Sequence, residues 1–581
     1  RKPIHLRQVE AEEGEDVGAF SVSADHGTLA YSIDVTGDER FDLMIVDLAT
    51  GEVRDDSIQG VGYGAELTTD GSTVYVTRVD DAWRPFEVWR YTVGEPDSGE
   101  LVLREDDERF WLGLGASRDD RFIQIGLGSK TTSEHWLLDA ADPAATPRCV
   151  TARREGVEYD VEVAGDRLLI VHNADNLNSD LAWAPLEATS AQDWHRLLQS
   201  APGERLQSVD AFDSVAVVSL RSQGMTALRV LHRDDAVDAG WRTGDDLAFD
   251  EEIHTVSMGE NAESDTTSVL LSYQSFLTPR TILEIDLISG RRETLWQMPV
   301  LGDDAADAYV QRRLWATAPD GTRVPVSLVT AAGAEPDGSH PGLLVGYGSY
   351  EHSADPYFSI PRLSLLERGV CFAVAHIRGG GEMGREWYED GKTLSKRNTF
   401  TDFIAAGELL VQEGWVAADR LGATGGSAGG LLMGAVANLA PDLFRVIHAD
   451  VPFVDALTTI LDPSLPLTVM EWEEWGDPLH DEQVYEYMRG YSPYENLHER
   501  CYPAILATTS LNDTRVFFVE PAKWVAALRA TATNDPVTRP ILLRTEMVAG
   551  HGGRSGRYAA WEQTAWEWAF VLDQLQATQH R

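Results

Sequence analysis

Leu421-Gly422-Ala423-Thr424-Gly425-Gly426-Ser427-Ala428-Gly429-Gly430-Leu431 runs from a short apolar segment, through a cluster of small residues, into a helical pattern. A buried strand that passes into a helix within a few residues must turn sharply. Glycines flank Ser427 because such a turn leaves no room for side chains. The spacing Gly-x-Ser-x-Gly therefore predicts a nucleophile elbow. It lifts the serine Oγ above the sheet, and the helix opening near Ala428 aims its N-terminus at a developing oxyanion. A glycine-rich structural turn is the competing reading. The strand before the serine and the helix after it weigh against that.

Outward from the elbow, apolar runs alternate with helical patterns from about residue 309 to the last residue, 581. A hairpin is expected from Leu314-Trp315-Ala316 to Val324-Pro325-Val326-Ser327-Leu328-Val329, turning at Asp320-Gly321. Strands are predicted at 342–345, 370–375, 421–424, 504–507 and 541–544, with helices at 401–413, 431–440, 516–530 and 559–575. This is the alternation of an α/β sheet domain. A serine alcohol needs a base, and in α/β-hydrolases an acid and then a histidine follow the nucleophile in the chain. Asp513, in Asn512-Asp513-Thr514-Arg515-Val516, and His551, in Gly550-His551-Gly552-Gly553, follow in that order. Each comes after a predicted strand, at the sheet end where α/β sites lie. Asp513 would orient the His551 ring, and His551 would take the proton from Ser427.

Residues 1–308 have a different grammar: short strands, frequent turns and no long helical period. Ser23-Ala24-Asp25-His26-Gly27 precedes the run Thr28 to Ile33, Thr69-Asp70-Gly71-Ser72 precedes Thr73 to Val76, and Ser117-Arg118-Asp119-Asp120 precedes Phe122 to Ile125. Further copies centre on Gly165-Asp166, Phe212-Asp213 and Glu263-Ser264-Asp265. A period of roughly 45 to 50 residues is the repeat of propeller blades. Six copies and a partial one before residue 20 predict a seven-bladed β-propeller with its first blade incomplete. A single β-sandwich fits neither the length nor the fixed period.

Composition narrows the function. With 48 basic and 94 acidic side chains, the net charge is −46. Nucleic acid is excluded as a partner, because phosphate binding needs the opposite sign. A field of this sign steers cationic ligands, although much of the charge is solvated surface. Cys149, Cys371 and Cys501 are odd in number and lack metal-ligand spacing, which points to reduced thiols in a cytoplasmic protein without a disulfide framework or structural zinc. No apolar run approaches the roughly 20 residues that span a bilayer, so no membrane helix is expected. No cofactor or metal is called for.

The elbow phrase, Asn512-Asp513-Thr514-Arg515-Val516 and Gly550-His551-Gly552-Gly553, with a propeller in front, resemble the prolyl oligopeptidase family of serine peptidases. Tyr347-Gly348-Ser349-Tyr350, Ile377-Arg378-Gly379-Gly380-Gly381-Glu382, Trp387 to Lys392 and Glu471-Trp472-Glu473-Glu474-Trp475-Gly476 are similar to its branch that cuts after basic residues. The resemblance implies that Tyr347 and the Ala428 N–H hold the oxyanion and that Arg515 grips a substrate carbonyl. It also implies that Glu471 and Glu473 bind the basic side chain at the cut site. Phe453 would pack along the stem of that side chain, and Asp355 would serve the preceding residue. Tyr357 stands where a second acid is expected beside Asp355, which argues against a strong preference for two adjacent basic residues. Family members carry a helical segment before the propeller; nothing here matches it, and with Arg1 as first residue a missing natural N-terminus is expected.

The leading expectation is a serine endo-oligopeptidase for short Arg- or Lys-containing peptides, a monomer or weak homodimer whose propeller excludes folded proteins. Proline or acylated-terminus specificity is the alternative, against which the acidic segment speaks. A propeller scaffold with a relict hydrolase domain would be expected to lack part of the triad, and an esterase would be an unusual companion for a propeller.

Overall fold

The computed structural model describes residues 16–34, 40–300, 308–465, 467–554 and 556–579. The recurring phrase of the first half forms a turn closed by its own side chains. Ser23 Oγ donates to Asp25 Oδ1 at 2.6 Å, and the N–H groups of Gly27 and Thr28 donate to Asp25 Oδ1 and Ser23 Oγ, each at 2.9 Å. Thr68 with Asp70, and Ser117 with Asp119, repeat the arrangement. A hydroxyl and a carboxylate two residues apart stand in for backbone partners and tighten each hairpin.

These turns separate the strands of six four-stranded antiparallel sheets among the described residues, from Asp16–Val22 to Arg292–Gln297. No sheet buries both faces alone. Each of five apolar clusters joins one sheet to the next, as where Leu169 and Val171 pack with Val218 and Trp241. Arg118, in the third sheet, reaches Asp210 of the fifth at 2.6 Å and the carbonyl of Asn261 in the sixth. The architecture is a β-propeller. The partial blade expected before residue 20 falls mostly on residues 1–15, outside the described residues, and the strand Asp16–Val22 belongs to the first of the six sheets.

The second half is one eight-stranded sheet. Its spatial order is Tyr309–Thr317, Arg323–Ala331, Cys371–Ala375, Gly342–Val345, Leu421–Gly426, Val446–Asp450, Ala504–Ser510, Ile541–Glu546. The first two strands form the hairpin, and all pairings from Cys371–Ala375 onward are parallel. Helices cover both faces, with cores built around Phe400, Phe403, Leu431 and Trp524 on one side and Leu365, Phe372, Val571 and Leu575 on the other. This is the α/β-hydrolase arrangement, with the elbow strand in the interior of the sheet. No described helix is long and apolar enough to cross a membrane.

Candidate active site

Ser427 lies between the strand Leu421–Gly426 and the helix Ala428–Leu439, with φ 57° and ψ −118°. A non-glycine residue holds such angles only where its surroundings fix them. Its N–H donates to Asp450 O at 2.9 Å, and its carbonyl accepts from Gly430 N at 2.8 Å and Phe453 N at 3.1 Å. The small neighbours are obligatory: a Cβ on Gly425 would stand 2.6 Å from Gly429 O, and one on Gly430 would stand 2.4 Å from Pro452 Cα.

Asp513 follows the strand Ala504–Ser510, and its side chain is buried. Its Oδ1 accepts from the N–H groups of Arg515 and Val516, both at 2.9 Å, while Oδ2 meets His551 Nδ1 at 2.7 Å. Two backbone donors on one oxygen leave the other committed to the ring. An acid on Nδ1 leaves Nε2 to act as a base. Tyr347 stands at the end of the strand Gly342–Val345. Burial pushes its phenol up to about 12, outweighing Ser427, which lies close enough to favour the ionised form. The phenol is thus neutral and able to donate beside Ser427. Ala428 opens the helix and is buried, so its N–H belongs to the helix N-terminus next to Ser427. Arg515 is exposed, near enough to Tyr347 to favour its ionised form.

A second pocket wall is aromatic. The Phe453 and Tyr350 rings lie 5.4 and 5.8 Å from Trp475. Glu471, in the short helix Thr468–Trp475, is enclosed by them. Its Oε2 accepts from Tyr350 Oη at 2.7 Å and Trp475 Nε1 at 2.8 Å, while Oε1 has Lys130 Nζ of the propeller at 3.9 Å. Burial raises the Glu471 pKa, opposed by Lys130 and the Tyr350 hydrogen bond.

The structure gathers Ser427, Tyr347 and Ala428, joins Asp513 to His551, and sets Glu471 beside Phe453. It places Glu473 and Asp355 differently from the expectation of substrate contact. Glu473 accepts from Lys130 N at 2.9 Å and from Thr131 Oγ1 at 3.3 Å, both in a propeller turn. Positions two apart on a helix do not share a face, so Glu473 does not duplicate Glu471. Asp355 is paired through both oxygens with the buried propeller residue Arg221.

Several residues given no role from sequence support this site. Glu474 is wholly buried and accepts from Tyr388 Oη at 2.6 Å and Tyr350 N at 3.1 Å. Lys396 donates to Gly348 O at 2.6 Å and Ser349 Oγ at 2.7 Å and lies 3.8 Å from Glu474; burial lowers its pKa to about 8. Together they clamp the segment from Tyr347 to Tyr350. The signal was present in Glu471-Trp472-Glu473-Glu474-Trp475, where an apolar and acidic alternation in a buried element demands partners.

An elbow serine in the α/β-hydrolase sheet, an Asp–His pair on the following loops and a propeller across the site define a class of peptidase. The chain belongs to the prolyl oligopeptidase family: residues 356–578 match the description "Prolyl oligopeptidase family" and residues 9–298 its N-terminal β-propeller domain. Among its relatives, Protease 2 of Moraxella lacunata is 41% identical, over 95% of this chain and 79% of the relative. Dipeptidyl aminopeptidase BI of Pseudoxanthomonas mexicana is 42% identical, over 96% and 76%. The structure of oligopeptidase B from Leishmania major superposes with a TM-score of 0.93 at 35% identity, covering 99% of this chain and 81% of that one. The chain is an oligopeptidase B-like serine peptidase.

Proposed function

We propose that the protein hydrolyses short peptides on the carboxyl side of Arg or Lys, with Ser427, Asp513 and His551 as triad. Ser427 Oγ attacks the scissile carbonyl carbon while His551 Nε2 takes its proton. The oxyanion is held by the Tyr347 phenol and the Ala428 N–H, and His551 then protonates the leaving amine. Water, deprotonated by the same ring, releases the acyl group and restores the serine. Arg515 is assigned to a substrate carbonyl and Phe453 to the stem of the cut-site residue. Residues 1–308 act as the gating domain and 309–581 as the catalytic domain, so a folded protein is kept from the triad.

The observation that carries the specificity is Glu471: a buried carboxylate with one oxygen spent on Tyr350 and Trp475 and the other turned toward a cation. A guanidinium suits such a group, and a proline pocket would have no use for it. The test compares Arg and Pro as cut-site residues in otherwise identical fluorogenic peptides, with wild type and Glu471→Gln. Arg should be cut far faster by wild type, and Glu471→Gln should reduce that preference about a hundredfold. A preference that survives the substitution rejects the reading.

A second reading concerns the mode of attack, because the relative named as a dipeptidyl aminopeptidase is as similar as Protease 2. Blocking the peptide's α-amine separates the two: an endo-acting enzyme tolerates the block, and a dipeptide-releasing one does not.

A further inference from the structure

Lys130 lies at the tip of the turn between the propeller strands Phe122–Gly128 and Ser133–Asp139. That turn is doubly fixed. Ser129 Oγ accepts from the N–H groups of Thr131 and Thr132, each at 3.2 Å, which closes the turn on itself. From the catalytic domain, Glu473 receives Lys130 N at 2.9 Å, Thr131 Oγ1 at 3.3 Å and Ser129 Oγ at 3.4 Å. Arg109 Nη1 stands 3.7 Å from the same carboxylate. The backbone of Lys130 is thereby set against the helix Thr468–Trp475, and its side chain rests in one particular place.

That place is the pocket. Lys130 Nζ lies 3.9 Å from Glu471 Oε1 and 4.7 Å from the centre of the Tyr350 ring. A carboxylate and an aromatic face are the groups that a basic substrate side chain would meet there. At 3.9 Å the ammonium makes no hydrogen bond; it supplies charge to a buried acid that has spent its other oxygen elsewhere. The Lys130 side chain also keeps 27% of its exposure, so it can swing out without unfolding anything.

We propose that Lys130 is a tethered occupant of the basic pocket, holding the place of the substrate cation when the domains are closed and withdrawing when substrate enters. The inference rests on Glu471 as the cut-site carboxylate. It makes Lys130 a specificity-determining residue contributed by the propeller. A cationic side chain replaces the charge that Lys130 withdraws, and a guanidinium adds two parallel hydrogen bonds that the ammonium lacks. A neutral side chain would either share the pocket with the lysine or leave Glu471 buried without a countercharge, which is unfavourable in both cases. The lysine thus competes with cationic ligands for Glu471, whereas a neutral ligand, which cannot take over the countercharge, gains nothing from its removal.

Lys130→Met removes the charge, keeps the stem, and leaves the backbone N–H that Glu473 accepts. Benzamidine, a planar cation with no scissile bond, reports on the pocket alone. In Lys130→Met its inhibition constant and the KM of an Arg peptide should both fall about fivefold or more, while a norleucine peptide gains no affinity. An unchanged or larger benzamidine constant overturns the proposal. So does an equal gain for the norleucine peptide, which would report looser domain closure and not an emptied pocket. Glu471→Gln separates this failure from that of the pocket itself. If it leaves benzamidine binding and Arg cleavage intact, the cut-site reading falls. If it weakens both while Lys130→Met has no effect, only the tethered occupant falls. Where both hold, Lys130→Met changes nothing in the Glu471→Gln background.

Discussion

Burial acts on Tyr347 and Glu471 in the same direction and with opposite consequences. It holds the Tyr347 phenol protonated up to about 12, so the oxyanion donor assigned to it persists through any working pH. It also raises the pKa of Glu471, so the charge proposed to attract a basic side chain is lost at a higher pH than for an exposed glutamate, whose ordinary value is 4.5. The carboxylate is anionic above its pKa; affinity for a cation is present there and disappears as the pH falls through it. The ratio of KM for an Arg peptide to KM for a norleucine peptide should therefore climb as the medium is acidified, by up to about tenfold per pH unit below that pKa. Taking the ratio cancels titrations shared by both substrates. Glu471→Gln should flatten the ratio, and a wild-type ratio that stays level to pH 4 would contradict the assignment.

One short helix, Thr468–Trp475, serves three masters: Glu471 faces the pocket, Glu473 the propeller turn, and Glu474 the buried Tyr388 and Lys396. Glu473→Ala should free the turn at residues 129–132. The Lys130 amide, which now donates to that carboxylate, should then exchange its proton about tenfold faster, with the flanking strands unchanged. Hydrogen exchange read by mass spectrometry measures this directly, and equal rates would mean that the turn is held by Ser129 alone. Which acid faced which way could not be read from sequence, because each step along a helix rotates the side chain by about 100° and neighbours decide the phase. The elbow, the Asp–His order and the propeller period were legible because each is a local spacing repeated or bounded by turns. The strand Val446–Asp450 was missed because His448 and Asp450 interrupt its apolar run; the ring lies between Thr424 and Thr508, whose hydroxyls satisfy it inside the sheet. Lys130 and Arg221 gave no signal at all, since their partners lie 341 and 134 positions away.

At the scale of the whole molecule, two electrostatic effects oppose each other. A net charge of −46 repels itself, and that repulsion acts against the compact state. The face between the domains, by contrast, is held by opposite charges: Arg205 with Glu351, Arg221 with Asp355, and Arg385 with Glu158. Salt screens both, but not equally. The interdomain arginines are largely buried, whereas most of the acidic surface faces water, and screening is strongest where solvent reaches. Raising KCl from about 0.05 to 1 M shortens the screening length from more than 10 Å to about 3 Å, so the Tm should rise. On the proposed specificity, the same field that burdens the fold should draw a cationic peptide toward the site. Over that range kcat/KM for a peptide with two arginines should fall about three- to tenfold, while that for a norleucine peptide should not fall. Thermal melts and initial rates measured in one salt series check both directions. A Tm that dropped with salt would show that the interdomain pairs outweigh surface repulsion. Parallel rates for the two peptides would show that the acidic surface serves solvation and does not guide substrate.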